Sequence, residues 1–217
     1  SFALNGQAKD IGIDLLKQKL QKHQRVILPG EFKASNGNNR HGPSGLIQAY
    51  DKVSSTVSNP SKEPNHLHLG QSADGGYYHL PVQLFYGGPV SAFALQLFLE
   101  HHHKKESSFG LIRADDALSL MLGNKLKANI PLDHRRDARL HYKSIAAGVA
   151  IHDILFSTNP THAAHPSTVD LKALFENKTV IVGTTALSLG QHVKLPLAEK
   201  APLFYAHVNA LDNLFTQ

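Results

Sequence analysis

Apolar residues in this chain come only in short runs. The longest, Pro89 to Leu99, is about half of the roughly 20 residues a bilayer span requires, and Ser91 and Gln96 interrupt it. Runs this short, separated by Gly, Pro and Asn, allow brief helices and strands packed against one another and no long apolar element. A chain of 217 residues can bury roughly 70% of its unfolded surface in one core, so it needs no covalent staple. None is available, because cysteine is absent, and its absence also removes thiolate zinc sites and a cysteine nucleophile. It leaves the redox compartment open. The net charge of +5 is spread over Lys17, Lys19, Lys22, Arg25, Lys104, Lys105, Arg135 and Arg136 without forming a stripe, so nucleic acid is not an expected partner.

Along the chain, Ile13, Leu16 and Leu20, helped by Leu15, recur at helical spacing between Ile13 and Gln24. Val26 to Leu28 then reads as a buried strand closed by Pro29-Gly30. Lys33 to Pro64, rich in Ser, Asn, Gly, Pro and Lys, reads as a long surface excursion. His66 to Gly70 and Tyr77 to Phe85 flank Asp74-Gly75-Gly76 and predict a β-hairpin with Asp74 and Gly75 at its tip. Ser91 is placed to cap a helix that turns Ala94, Leu95, Phe98 and Leu99 inward and ends in His101 to Lys105. Phe109 to Arg113 reads as a strand, and Leu118 to Ile130 as a hairpin about Gly123-Asn124, with Leu126, Ala128 and Ile130 alternating on its second arm. Ala138 to Tyr142 is a short strand, Ile151 to Phe156 a turn of helix and Val169 to Phe175 a helix stopped at Asn177-Lys178. Thr179 to Val182 reads as a buried strand, and Leu203 to Phe215 as a final helix with His207, Leu211, Leu214 and Phe215 near one face. Helices interleaved with strands and hairpins predict an α/β fold, a mixed sheet covered by helices, in a single domain over residues 1–217.

Fifteen histidines invite a search for a metal or acid–base site. His66 and His68 would share one face of a strand, but no third ligand is identifiable, and the plainer reading is a solvated strand face. His101 to His103 point apart on a helix, and His162 and His165 sit in a Pro-rich loop. No nucleophile elbow is present, and Ser44 reads as a turn residue. Asp115 and Asp116 are loop neighbours, while Asp133 and Asp137 flank a basic run. Gly183, Thr184 and Thr185 follow the Thr179 to Val182 segment, where loops of α/β sheets bind ligands through their amides, but they lack the lysine and spacing of a phosphate loop. No catalytic residue, metal or cofactor is expected.

The strongest pattern lies in the last forty or so residues: Phe175 to Gly190 reads F-E-N-K-T-V-I-V-G-T-T-A-L-S-L-G, then Leu195-Pro196, then Tyr205 to Phe215 reads Y-A-H-V-N-A-L-D-N-L-F. This order resembles the end of the second type of CHASE domain, the cyclase and histidine-kinase associated sensory extracellular domains. Asp74-Gly75 with Leu80-Pro81, Ser91 to Leu97, Ile130 to Asp133, Leu140 to Tyr142 and Asp153 to Leu155 resemble earlier parts of that family in sequence order, from about Ile11 onward. Tyr78-His79 stand where the family places an arginine, and Gln191 where it often places an aspartate.

The resemblance implies an extracytoplasmic, periplasmic sensor domain of a bacterial membrane receptor. Its partners would be a small-molecule or environmental signal, flanking transmembrane helices, a cytoplasmic kinase or cyclase and, in some receptors, a second copy of the domain. Gly183, Thr184 and Thr185 are candidate ligand contacts against the plainer reading of a structural strand-exit turn, and His207 and Asn209 are candidates against the plainer reading, shared with Asn213, of polar anchors holding the last helix to neighbouring loops. A chain opening on Ser1 is expected to be a piece of something larger. The competing readings are a soluble, histidine-rich, metal-dependent hydrolase-like enzyme using His66, His68 or the His162 region, and a dimerisation module that binds no ligand.

Overall fold

Short apolar runs become short strands. The computed structural model describes residues 65–85, 89–103, 109–144, 148–151, 153–154, 170–185 and 192–216, together with Gln18, Ile27, 29–32 and 46–48. The helix expected over Ile13 to Gln24 therefore lies outside the described residues except at Gln18, which is helical. Of the strand expected over Val26 to Leu28 only Ile27 is described, and it is in no strand; beyond Pro29, β1 (Gly30–Phe32) pairs antiparallel with β2 (Leu46–Gln48). Proline has no N–H to give a ladder, so the pairing starts after it. β2 also places a strand inside the stretch read as a surface excursion; the rest of that stretch, with Ser44, lies outside the described residues.

β3 (Asn65–His66) and β4 (Gly70–Gln71) come from the first arm of the expected hairpin, and β5 (Tyr77–Pro81) from the second. β4 and β5 pair antiparallel around Gly75, whose φ of 81° lies in the left-handed region that glycine enters without a Cβ penalty. Asp74 fixes the turn, its Oδ1 accepting from the Gly76 N–H at 3.0 Å and its Oδ2 from the Tyr78 hydroxyl at 3.0 Å. The second arm does not run on unbroken to Phe85. It bends at Val82, which is 1% exposed, and resumes as β6 (Gln83–Phe85) in a different sheet.

That sheet has β7 (Pro89–Ala92) at its centre, antiparallel to β6 and parallel to β3, which is why Val90, Ser91 and Ala92 are all buried. Ser91 is therefore a strand residue opposite Asn65 and Gln83 rather than a helix cap, and β7 feeds straight into α1 (Phe93–His103). Ala94, Leu95, Phe98 and Leu99 face the core as their spacing predicts, at 7% exposure or less.

β8 (Phe109–Arg113), β9 (Ala117–Leu122) and β10 (Lys125–Pro131) form a meander with β9 central and Gly123 at a φ of 58° in the turn. Leu118 and Leu120 on β9 and Ala128 and Ile130 on β10 point inward. Leu126 does not join them. Its partner is Met121, whereas Ala128 pairs with Leu120, so Lys127 is an extra residue that reverses the alternation and leaves Leu126 57% exposed. β11 (Asp137–Arg139) adds to β5, and although the strand ends there, the Leu140 N–H still donates to Tyr78 O at 2.8 Å.

The helical turn at Ile151 to Phe156 is present at Ile151, Asp153 and Ile154. α2 (Leu171–Phe175) is capped by Asp170, whose carboxylate accepts from the N–H groups of Lys172 and Ala173, and Asn177, at a φ of 58°, stops it. A hairpin of β12 (His192–Leu195) and β13 (Ala198–Pro202) leads into α3 (Phe204–Phe215). The result is α/β, with mixed parallel and antiparallel pairing, three helices among the described residues, and a common core that draws on β5, β7, β9, β10, α1, the β12–β13 hairpin and α3.

Leu95 and Leu126 test which face is buried. Leu95→Ala, at 0% exposure, is expected to lower unfolding stability by about 2–5 kcal/mol, and Leu126→Ala by less than about 0.5 kcal/mol, both read by urea titration. Equal costs would show that the bulge at Lys127 is misplaced.

Candidate functional site

The residues expected to contact a ligand fall in two places joined by α3. α3 lies beside α1 and runs in the same direction: Phe93 meets His207 edge-on at 6.4 Å near the start of both, and Phe98 and His101 meet Phe215 at 5.2 and 5.0 Å near their ends. His101 and His102 are thus stacked partly into this aromatic cluster rather than simply solvated. Ala206 and Ala210, at 0% and 1% exposure, let α3 approach its neighbours closely.

Thr179 to Val182 forms no buried strand. The segment is in no strand, and no strand among the described residues pairs with it; Ile181 packs toward the core while Val180 and Val182 are 48% and 82% exposed. It lies against the helix pair, since Thr179 Oγ1 is 3.4 Å from His101 Nδ1 and Gly183 packs under the ring of Phe204, the first residue of α3. A β-branched run fits any half-buried extended path, whether or not a sheet receives it. Gly183 has a packing reason to be glycine: a Cβ there would stand 2.5 Å from two atoms of the Phe204 ring. Thr184 and Thr185 continue as exposed, non-strand residues.

Asn209 and His207 are both buried but do not converge with that loop on one site. They lie two apart on a helix and point to different sides. Asn209 and Asn213, one turn apart, face the strap at 141–143. Asn213 Oδ1 accepts from the His141 N–H at 2.7 Å and its Nδ2 donates to His141 O at 2.8 Å, while Asn209 Oδ1 accepts from the Lys143 N–H at 2.9 Å. The two amides do for the strap what a neighbouring strand would do, so the anchoring role expected of them is present. Between them Tyr142 turns inward, and burial, with Tyr78 nearby, pushes its hydroxyl up from the ordinary tyrosine value.

His207 makes no such anchor. It is 2% exposed, and neither ring nitrogen has a hydrogen-bond partner among the described residues. Burial pushes its pKa down to about 4. Across from α3, His66 on β3 is fully buried, contrary to the solvated strand face expected for it, while His68 is exposed and its N–H donates to His66 Nδ1 at 3.2 Å. Burial first, then the nearby His68 and His207, hold His66 down at about 3. Sequence reasoning missed His66 because β3 is two residues long, too short for alternation to assign a face.

Among the described residues, no group of three or more His, Asp or Glu is placed to hold a metal ion; His162 and His165 lie outside them. Among the described residues one carboxylate–imidazole contact joins His79 Nδ1 to Asp133 Oδ2 at 3.1 Å. The other Asp133 oxygen accepts from the N–H groups of Arg135 and Asp137, so this carboxylate closes a turn. The chain matches the model of a known protein family, the CHASE2 domain, over residues 3–217. No curated protein and no solved structure matches it.

Two substitutions test the joints of α3. Asn213→Ala leaves the His141 backbone groups without their partner and is expected to cost about 1–3 kcal/mol in urea unfolding, with faster exchange of the His141 amide. Lys143→Ala, which removes only the exposed contact to Asp212, should cost less than about 1 kcal/mol, and equal losses would mean that the amide bridge contributes nothing. Gly183→Ala should cost about 1–3 kcal/mol by overpacking against Phe204, and Phe204→Leu should recover part of that loss in a double-mutant cycle. Strict additivity would show that the two residues do not touch.

Proposed function

Because the chain belongs to the CHASE2 domain family, a family of sensory domains, we propose that it is the extracytoplasmic signal-input domain of a bacterial transmembrane receptor that relays a stimulus to a cytoplasmic kinase or nucleotide cyclase. The match over residues 3–217 carries this reading, since it extends over essentially the whole chain. Within it, α3 is the output element. It is the last element described, and it is tied to separate parts of the fold by Phe204, His207, Asn209 and Asn213. Gly183, Thr184 and Thr185 are the exposed contact for an incoming signal, because a displacement of Gly183 presses directly on Phe204. His207 and Asn209 respond from inside, as residues whose packing changes when α3 moves. Among the described residues no helix is long and apolar enough to cross a membrane, so in this reading the spans are supplied by flanking segments.

A single cysteine tests the topology cleanly because this chain has none of its own. With Asn124→Cys in the exposed β9–β10 turn of the full-length protein, a membrane-impermeant maleimide should label the domain in intact spheroplasts. Labelling only after the cytoplasmic membrane is broken would place the domain inside and overturn the receptor reading.

A further inference from the structure

The polar side chains buried along α3 are of two kinds. Asn209 and Asn213 bond the strap at 141–143, whereas His207 has a partner on neither ring nitrogen among the described residues, and its ring lies edge-on to Phe93. The titratable group that acts with it is another imidazole, His66, fully buried on β3. Among the described residues no carboxylate is placed against His207. α1 brings Phe93 and no charged side chain before Glu100, and Asn65 on β3 is neutral. β7 carries no charge; β13 brings Glu199 and Lys200, both exposed, with Glu199 Oε1 3.3 Å from Lys194 Nζ. α3 itself offers only Asp212, which is held by Lys143 on the strap side. Asp137 acts on the exposed His68, beyond His66.

We propose that His207 and His66 form the protonation site through which this domain registers acidification, and that the response is release of α3 from α1 and β3. The inference rests on the sensory reading above and names its stimulus. A proton moving from water to a ring nitrogen of His207 makes an imidazolium with no acceptor, and a second on His66 sets two like charges near each other. The His207 charge is relieved only when its ring reaches water, and that requires α3 to move. The sign follows from both groups being held below their ordinary value of 6.5: docking is at full strength above pH 6.5 and is lost as pH falls toward about 4 for His207 and about 3 for His66.

The test is hydrogen exchange of the α3 amides in the full-length protein, corrected for intrinsic rates, between pH 7.5 and 5. With an exposed ring at 6.5 and a docked ring at about 4, His207 alone should raise the opening equilibrium about 30-fold by pH 5, and His66 should raise it further where opening also frees that ring, with α3 opening more readily than β9 throughout. His207→Gln and His66→Gln should each remove a large part of that rise. Exchange of the His207 ring C2 proton, followed in the wild type, supplies a readout that does not depend on either variant folding, and should give a value well below 6.5. A ring titrating near 6.5, α3 amides that exchange only together with β9, or stoichiometric zinc bound by the pair at neutral pH would each overturn the proposal. The receptor reading fails separately, on the Asn124→Cys labelling, whatever the α3 amides do with pH.

Discussion

A helix buried on most of its circumference has to place its polar side chains where they are satisfied or bear the cost of leaving them bare. α3 is such a helix: Ala206, His207, Asn209, Ala210, Leu211, Asn213 and Leu214 are all buried. Its apolar residues settle it against α1 and the shared core, and its asparagines would be costly there without partners, by about 1–3 kcal/mol each. The strap at 141–143 supplies those partners. Because the strap continues from β11, which pairs with β5, the asparagines connect α3 to the sheet containing the Asp74-Gly75 hairpin. At the other end, Phe204 connects α3 to Gly183. The position of α3 is therefore a joint property of the strap, α1 and the Gly183 loop.

What the sequence revealed of this fold depended on whether the deciding interaction was local. The turns at Gly75 and Gly123 were legible because an Asp-Gly or Gly-Asn pair between alternating runs carries its own backbone preference, and the inward face of α1 was legible because helical spacing is a local property. Leu126 was misread because one extra residue, Lys127, changes the phase of a strand, and nothing in the composition of Leu126 to Ile130 marks a bulge. Ser91 looks like a cap in sequence, but the parallel partner at Asn65 makes it a strand residue, and that pairing is long-range. Thr179 to Val182 carries a strand's residues while packing on helices, for the same reason.

Of the candidate site, the anchoring roles of Asn209 and Asn213 could be anticipated because an amide on a buried helix face needs a partner, though not which backbone would provide it. The burial of His66 could not, since it follows from β3 lying next to β7 in the sheet. Of the carboxylates weighed for acid–base chemistry, Asp133 accepts backbone N–H groups in a turn and Asp115 lies 3.1 Å from Arg136 at the surface; Asp74 likewise holds a turn, and Asp170 caps α2.

The same distribution bears on why an imidazole occupies position 207. If α3 had only to be held in place, an apolar side chain there would pack against Phe93 and leave no nitrogen bare, and replacing buried polar groups by well-packed apolar ones is often neutral or stabilising. Asn209 and Asn213 show that this helix can satisfy a buried polar group when a backbone is near enough to bond. Among the described residues His207 has neither that partner nor a carboxylate to hold it charged, and the nearby His66 adds a second base. An arrangement that stabilises neither a charged ring nor a hydrogen-bonded neutral one leaves the docked helix weakest against a single species, the proton. In a sensory domain, a helix coupled to several parts of the fold at once and destabilised by one ligand has the two properties that a relay requires.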